Sequence, residues 1–187
     1  MLLKCLYNPQ NSRYILSVVL DNIATSIIAI LFPLFILDLT HAPIHLSFFA
    51  MIATFPYLIL GLQLGTFIDN FNIQRILYIS DIIRFICYII IGLSVLLIKN
   101  IYILLMVMYF LNFVLSVVNV LNTISEVTFL PMFVEKNELI NMNSIIFIIQ
   151  YVVGIFVPMI GGCIYNFHRM PYVFMLSSFL FLVYSAY

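Results

Sequence analysis

GLQLGTFIDNFNIQRILYISDIIRF, residues 61–85, carries two aspartates, two arginines, two asparagines and two glutamines in a chain otherwise dominated by Ile, Leu, Phe and Val. It is flanked by apolar runs at about 44–68 and 75–98, each as long as the roughly 20 residues that a spanning helix needs. Over 187 residues the chain is 65% hydrophobic and 7% charged, with a mean hydropathy of +1.22, whereas a soluble domain carries about 25% charged residues. A water-soluble fold has no interior large enough to hide that much apolar surface. The composition therefore predicts an all-α, polytopic membrane helix bundle, and the polar stretch is a turn between two of its spans that runs on into the second.

Six spans are predicted, at about 14–38, 44–68, 75–98, 101–123, 140–166 and 171–187. They are separated by DLTHAP, DNFNIQR, KN, LPMFVEKNELINMN and NFHRMP, where turn formers and most of the charge collect. The first apolar run is long enough to span and has no small-residue cleavage site after it, so it reads as a retained helix and not a signal peptide. With the N-terminus inside, one side holds Lys4, Arg13, Arg75 and Lys136 and the other Lys99 and Arg169. This bias places the N-terminus in the cytoplasm of a multi-pass cell-membrane protein. The last run reaches Tyr187 without a polar exit, the pattern expected of the N-terminal part of a longer protein.

Several function classes are excluded. Seven acids balance seven bases, so nothing favours nucleic acid. No phosphate-binding Gly-rich loop, Ser-His-Asp arrangement or metal-ligand cluster is present, and no enzyme activity, cofactor or metal is expected. His41 and His45 are four apart, but Pro43 between them marks a loop. Cys87 and Cys163 lie in apolar runs, where thiols are ordinarily inert.

The polar residues inside the spans are the candidate site. Asp81 and Arg84 are three apart, share one face of the third helix and form an ion pair by spacing. Arg84 lies roughly 13 Å along the helix from Arg75, a depth at which an isolated charge costs about 2.5–3.5 kcal/mol. Both therefore face a partner or a watery cavity. Asp21, beside Asn22 in the first helix, has no base near it in sequence. It is a candidate proton or substrate site, with Asn22, Arg84 or a cytoplasmic basic loop as alternative partners. Asn112, Asn119 and Asn122 fall on one side of the fourth helix, followed by Glu126 near its end, and Gln150 is a similar candidate in the fifth. They line a cavity or hydrogen-bond between helices.

The turn itself, Gly65-Thr66-Phe67-Ile68-Asp69-Asn70-Phe71-Asn72-Ile73-Gln74-Arg75, resembles the loop between helices 2 and 3 of the major facilitator superfamily. Gly65, Asp69 and Arg75 match. Asn70, Asn72 and Gln74 stand where a base, a glycine and another base are usual. SDIIR and LPMFVEKNELINMNSI resemble the corresponding segments of the branch of macrolide-efflux and siderophore exporters. GIFVPMIGG is similar to the helix-5 antiporter signature through Pro158, Gly161 and Gly162, with Val157 in place of a glycine. The resemblance implies one half of a twelve-helix fold built as a 3+3 inverted repeat. In that setting Gly65, Asp69 and Arg75 form a gate against a C-terminal six-helix half. It also implies proton-coupled efflux of a drug-like or amphipathic small molecule by alternating access, with H+ as coupling ion and the lipid bilayer as surroundings. Two other readings stay open, a non-transporting remnant bundle and a half-size carrier working as two copies.

Overall fold

The computed structural model describes residues 9–68, 72–134, 138–165 and 169–185, with side chains at 11–61, 72–132, 134, 138–163, 165 and 169–181. Six helices follow one another: α1 (Pro9–Thr40), α2 (Pro43–Ile68), α3 (Ile73–Leu97), α4 (Ile101–Phe133), α5 (Leu139–Ile164) and α6 (Met170–Ser185). Five of them are long and apolar enough to cross a membrane, the property of a membrane-embedded protein. The sixth, expected at about 171–187, starts at Met170 and runs to Ser185, the last described residue. It has 16 residues, about 24 Å at 1.5 Å per residue, against roughly 30 Å of hydrocarbon.

Short polar signals end the helices. Asn72 and Asn100 are the N-caps of α3 and α4, their side chains accepting from the N–H groups of Gln74 and Tyr102. Each satisfies one of the backbone donors that a helix start leaves without a partner. Asn72, which departs from the glycine of the transporter pattern, thus has a local reason to be asparagine. At the other end of α1, His41 adopts a left-handed φ of 51° and its N–H closes onto the Leu37 carbonyl at 2.7 Å. Pro43 then opens α2, where a missing N–H leaves no hydrogen bond unmade.

The end of α4 is a correction. The span was expected to stop at about 123, yet the helix continues to Phe133 with Pro131 inside it. The polar run Asn119 to Glu126 looks like an exit into water, but Asn122 and Ser125 are buried. Beyond them Leu130 and Val134 pack with Met142 of α5 against Tyr14 and Ile15 of α1. That packing carries the helix past its polar segment, even though Pro131 in the last turn withholds the N–H that the Val127 carbonyl would accept.

Helix neighbours define a ring. α1 packs on α2, α2 on α4, α4 on α3, α3 on α6 and α6 back on α1, while α5 leans on the outside of α1. The α1–α2 junction is the slightest of these. Lipid is as apolar as leucine, so close packing and polar ties hold such helices together. Phe32 of α1 meets Phe49 of α2 and Phe174 of α6 edge-on, at 4.7 and 5.2 Å between centroids, an arrangement that aromatic quadrupoles favour. Gly92 lets α3 approach α6 so closely that a Cβ there would lie 2.9 Å from the Pro171 carbonyl oxygen.

Polar ties run between parallel helices. Asn112 Nδ2 donates to the Phe49 carbonyl at 3.0 Å, and the Ser116 hydroxyl donates to the Ala53 carbonyl. One turn earlier the Tyr109 hydroxyl lies 2.8 Å from Nδ1 of His45. Pro56 lacks the N–H that an α2 carbonyl would otherwise receive, and α4 provides side-chain donors to this same segment. At the outer pair, Asn11 donates to Glu138 at 3.1 Å and the Tyr165 hydroxyl to Asp38 at 2.7 Å, tying α1 to α5 near both ends. Burial and the Asp38 carboxylate push the Tyr165 hydroxyl above the usual tyrosine range.

Candidate functional site

Arg84 is the centre of the ring's interior. From α3 it reaches across to α1, its Nη1 lying 2.7 Å from Asp21 Oδ1. The same nitrogen is 3.6 Å from Asp81 Oδ1, one turn back on its own helix. The ring of Phe181 on α6 lies 5.3 Å below the guanidinium carbon, within cation–π range, and stacks on Tyr88 at 5.5 Å. All three charged groups are buried, with 4%, 12% and 2% of the side chains of Arg84, Asp21 and Asp81 exposed. Glu126 of α4 lies within electrostatic reach of Arg84 and Asp81 and accepts a 2.8 Å hydrogen bond from Asn122.

Acids outnumber bases here. Two carboxylates share one guanidinium, with a third close by. The cluster also keeps spare polar capacity: Asp81 Oδ1, Arg84 Nε, Asn122 Oδ1 and Ser125 Oγ are buried without a hydrogen-bond partner among the described residues. Buried polar atoms are paired in the great majority of cases, so these atoms are exceptions.

A cavity of about 320 Å³ opens one turn above the ion pair, between α1, α2 and α4, with Tyr88 of α3 at its base. Thr25, one turn beyond Asp21, lies on its wall, as do Asn112, Ser116 and Asn119. The cavity and the ion pair are therefore adjacent parts of one interior.

The sequence-predicted residues divide accordingly. Asp21, Asp81 and Arg84 come together, and Glu126 joins them from α4. The partner of Asp21 is Arg84, while Asn22 turns to the Val18 carbonyl of its own helix. Asn112 and Asn119 line the cavity, whereas Asn122 faces Glu126. Gln150 is exposed on α5, outside both the cavity and the cluster. Gly65 is helical and Arg75 is exposed on the first turn of α3; Asp69 lies outside the described residues. On α5, Pro158 is within the helix, Gly161 faces Ile30 and Leu31 of α1, and among the described residues nothing lies within 4 Å of where a Gly162 Cβ would be. Sequence reasoning missed Phe181, which lies under Arg84, and Tyr88, which stacks on Phe181, because aromatics are too frequent in this chain to stand out. It also missed Asn11 with Glu138, although a polar residue at each helix start was a usable signal.

No protein-family model matches the chain, and no curated protein or solved structure matches it.

Proposed function

We propose that this chain is the N-terminal six-helix part of a secondary transporter of the major facilitator type. It moves a small molecule across the cell membrane by alternating access, in exchange for protons. The observation that carries the reading is the buried Asp21–Arg84–Asp81 cluster directly beneath a cavity. An intramembrane ionisable group marks a transport or proton pathway more often than a structural tie. A surplus of carboxylates over guanidinium leaves room for one exchangeable proton, and groups this close titrate as a unit. A proton on Asp21 would loosen its hold on Arg84 and free α1 from α3, the step that alternating access needs. The N-terminus lies on the cytoplasmic side, and the C-terminal half or a second copy completes the pathway.

The test is export of the neutral dye Nile red from cells or proteoliposomes carrying an imposed proton gradient. Gradient-driven export by the native protein, lost in Asp21→Asn and reduced in Asp81→Asn, supports the reading. Unchanged proton dependence in both variants removes these residues from the mechanism, and no gradient-driven flux of the dye or of protons overturns transport.

The 2.7 Å contact between Asp21 and Arg84 favours one competing reading. In a non-transporting bundle the same cluster is a fixed tie between α1 and α3. Its variants then change stability and move no flux.

A further inference from the structure

The cavity above the ion pair carries a chemical signature of its own. Its walls include Phe32 and Phe49 beside Tyr57 and Tyr88, with the amides of Asn112 and Asn119 on one side. Among the described residues, no Asp, Glu, Lys, Arg or His lines it. Its hydrogen-bonding groups are partly committed. Thr25 donates to the Asp21 carbonyl, Asn112 to the Phe49 carbonyl and Ser116 to that of Ala53. The side-chain amide of Asn119 makes no hydrogen bond among the described residues, so it retains both donor and acceptor capacity.

None of the charged groups of the neighbouring cluster, Arg84, Asp21, Asp81 and Glu126, is among the described residues that line the space. Arg84 and Asp21 are turned to one another at 2.7 Å, and Tyr88 and Thr25 separate them from the open volume. A charged ligand would shed its hydration in this apolar space without a counter-charge, which is a heavy penalty. A neutral ligand pays none of it, gains contact with four aromatic rings and can hydrogen-bond to Asn119. At about 320 Å³ the space sits at the lower end of small-molecule sites.

We infer that the cavity is a binding site for an uncharged, ring-bearing small molecule with one hydrogen-bonding group, held by Asn119 and the surrounding aromatics, and that it discriminates against cations and anions of the same shape. The assignment rests on the transport reading for its biological role, but binding is measured without transport.

Three probes of closely similar shape separate charge from size: triphenylphosphine oxide (neutral), methyltriphenylphosphonium (cation) and triphenylacetate (anion). Binding of each to the full chain in lipid nanodiscs is measured by equilibrium dialysis. The expected result is that triphenylphosphine oxide binds at least tenfold tighter than either ion. Asn119→Leu weakens it about fivefold or more, and Ala53→Phe, which fills the cavity, abolishes it. Equal affinity for the three probes, a preference for either ion or no binding at all overturns the inference. So does an Ala53→Phe variant that elutes as folded protein and still binds. Neutral-probe binding without gradient-driven dye flux refutes the transport reading and leaves the site standing. Dye flux without such binding does the reverse.

Discussion

Replacing Arg84 by leucine is the sharpest perturbation of the interior. Its Nη1 faces one carboxylate at 2.7 Å and another at 3.6 Å, with 4% of the side chain exposed. At an effective dielectric of about 20, unit charges near 4 Å attract by about 4 kcal/mol, and most of that is offset by desolvation. Taking away the base removes the attraction and leaves the desolvation, so two like charges remain buried together. The expected loss is about 3–5 kcal/mol. Asp21→Asn is milder, about 1–2 kcal/mol, because the amide oxygen still accepts from Nη1 and Asp81 still faces Arg84. Combining Arg84→Leu with Asp21→Asn and Asp81→Asn removes the arginine together with the two carboxylates that face it, and restores most of the loss. Unfolding in mixed micelles by SDS titration, read by far-ultraviolet circular dichroism, gives the three values in one assay. If Asp21→Asn is as damaging as Arg84→Leu, or the triple variant no better than the single one, the cluster is not organised around the arginine.

Two further outcomes follow from the packing and the outer ties. Gly92→Ala places a methyl group 2.9 Å from both the Pro171 carbonyl oxygen and Met175 Cγ, so α3 and α6 separate at a cost of about 1–3 kcal/mol; Gly161→Ala meets only ordinary contacts from 3.6 Å outward and stays within about 0.5 kcal/mol, both read as thermal midpoints in detergent. The Tyr165 hydroxyl is raised by burial and by Asp38, so its contribution is full below the ordinary tyrosine pKa and is lost as pH rises above about 10. Melting curves from pH 8 to 12 will show a steeper alkaline decline in the native protein than in Tyr165→Phe, and parallel declines would refute this.

Much of the architecture was legible because membrane solubility dominates the composition. The starts of α2 and α5 fall within a residue of expectation, since His41-Ala42-Pro43 and Glu138 interrupt apolar runs decisively. The end of α4 was not legible. Asn122 and Ser125 are as polar as loop residues, and only the tertiary fold shows that they point inward. Asp81 with Arg84 was readable from helical spacing, whereas the closer partner of Arg84 lies 63 positions away and no local rule links α1 to α3. Gly92 passed unnoticed because an isolated glycine in a helix says nothing about its neighbour until that neighbour is known. The three asparagines of α4 share a sector by periodicity, but a sector wide enough to hold them borders both the cavity and the charge cluster.

Asn11 with Glu138 and Asp38 with Tyr165 each join positions 127 apart in the chain, so α1 and α5 keep one register over about 40 Å. Sliding by a single turn, about 5.4 Å, would break both links together, whereas tilting the two helices as a unit breaks neither. Mechanically they are one stiff beam reaching from face to face of the bundle. Of the main contacts that join this pair to the rest of the bundle, the α1–α2 junction is the slightest.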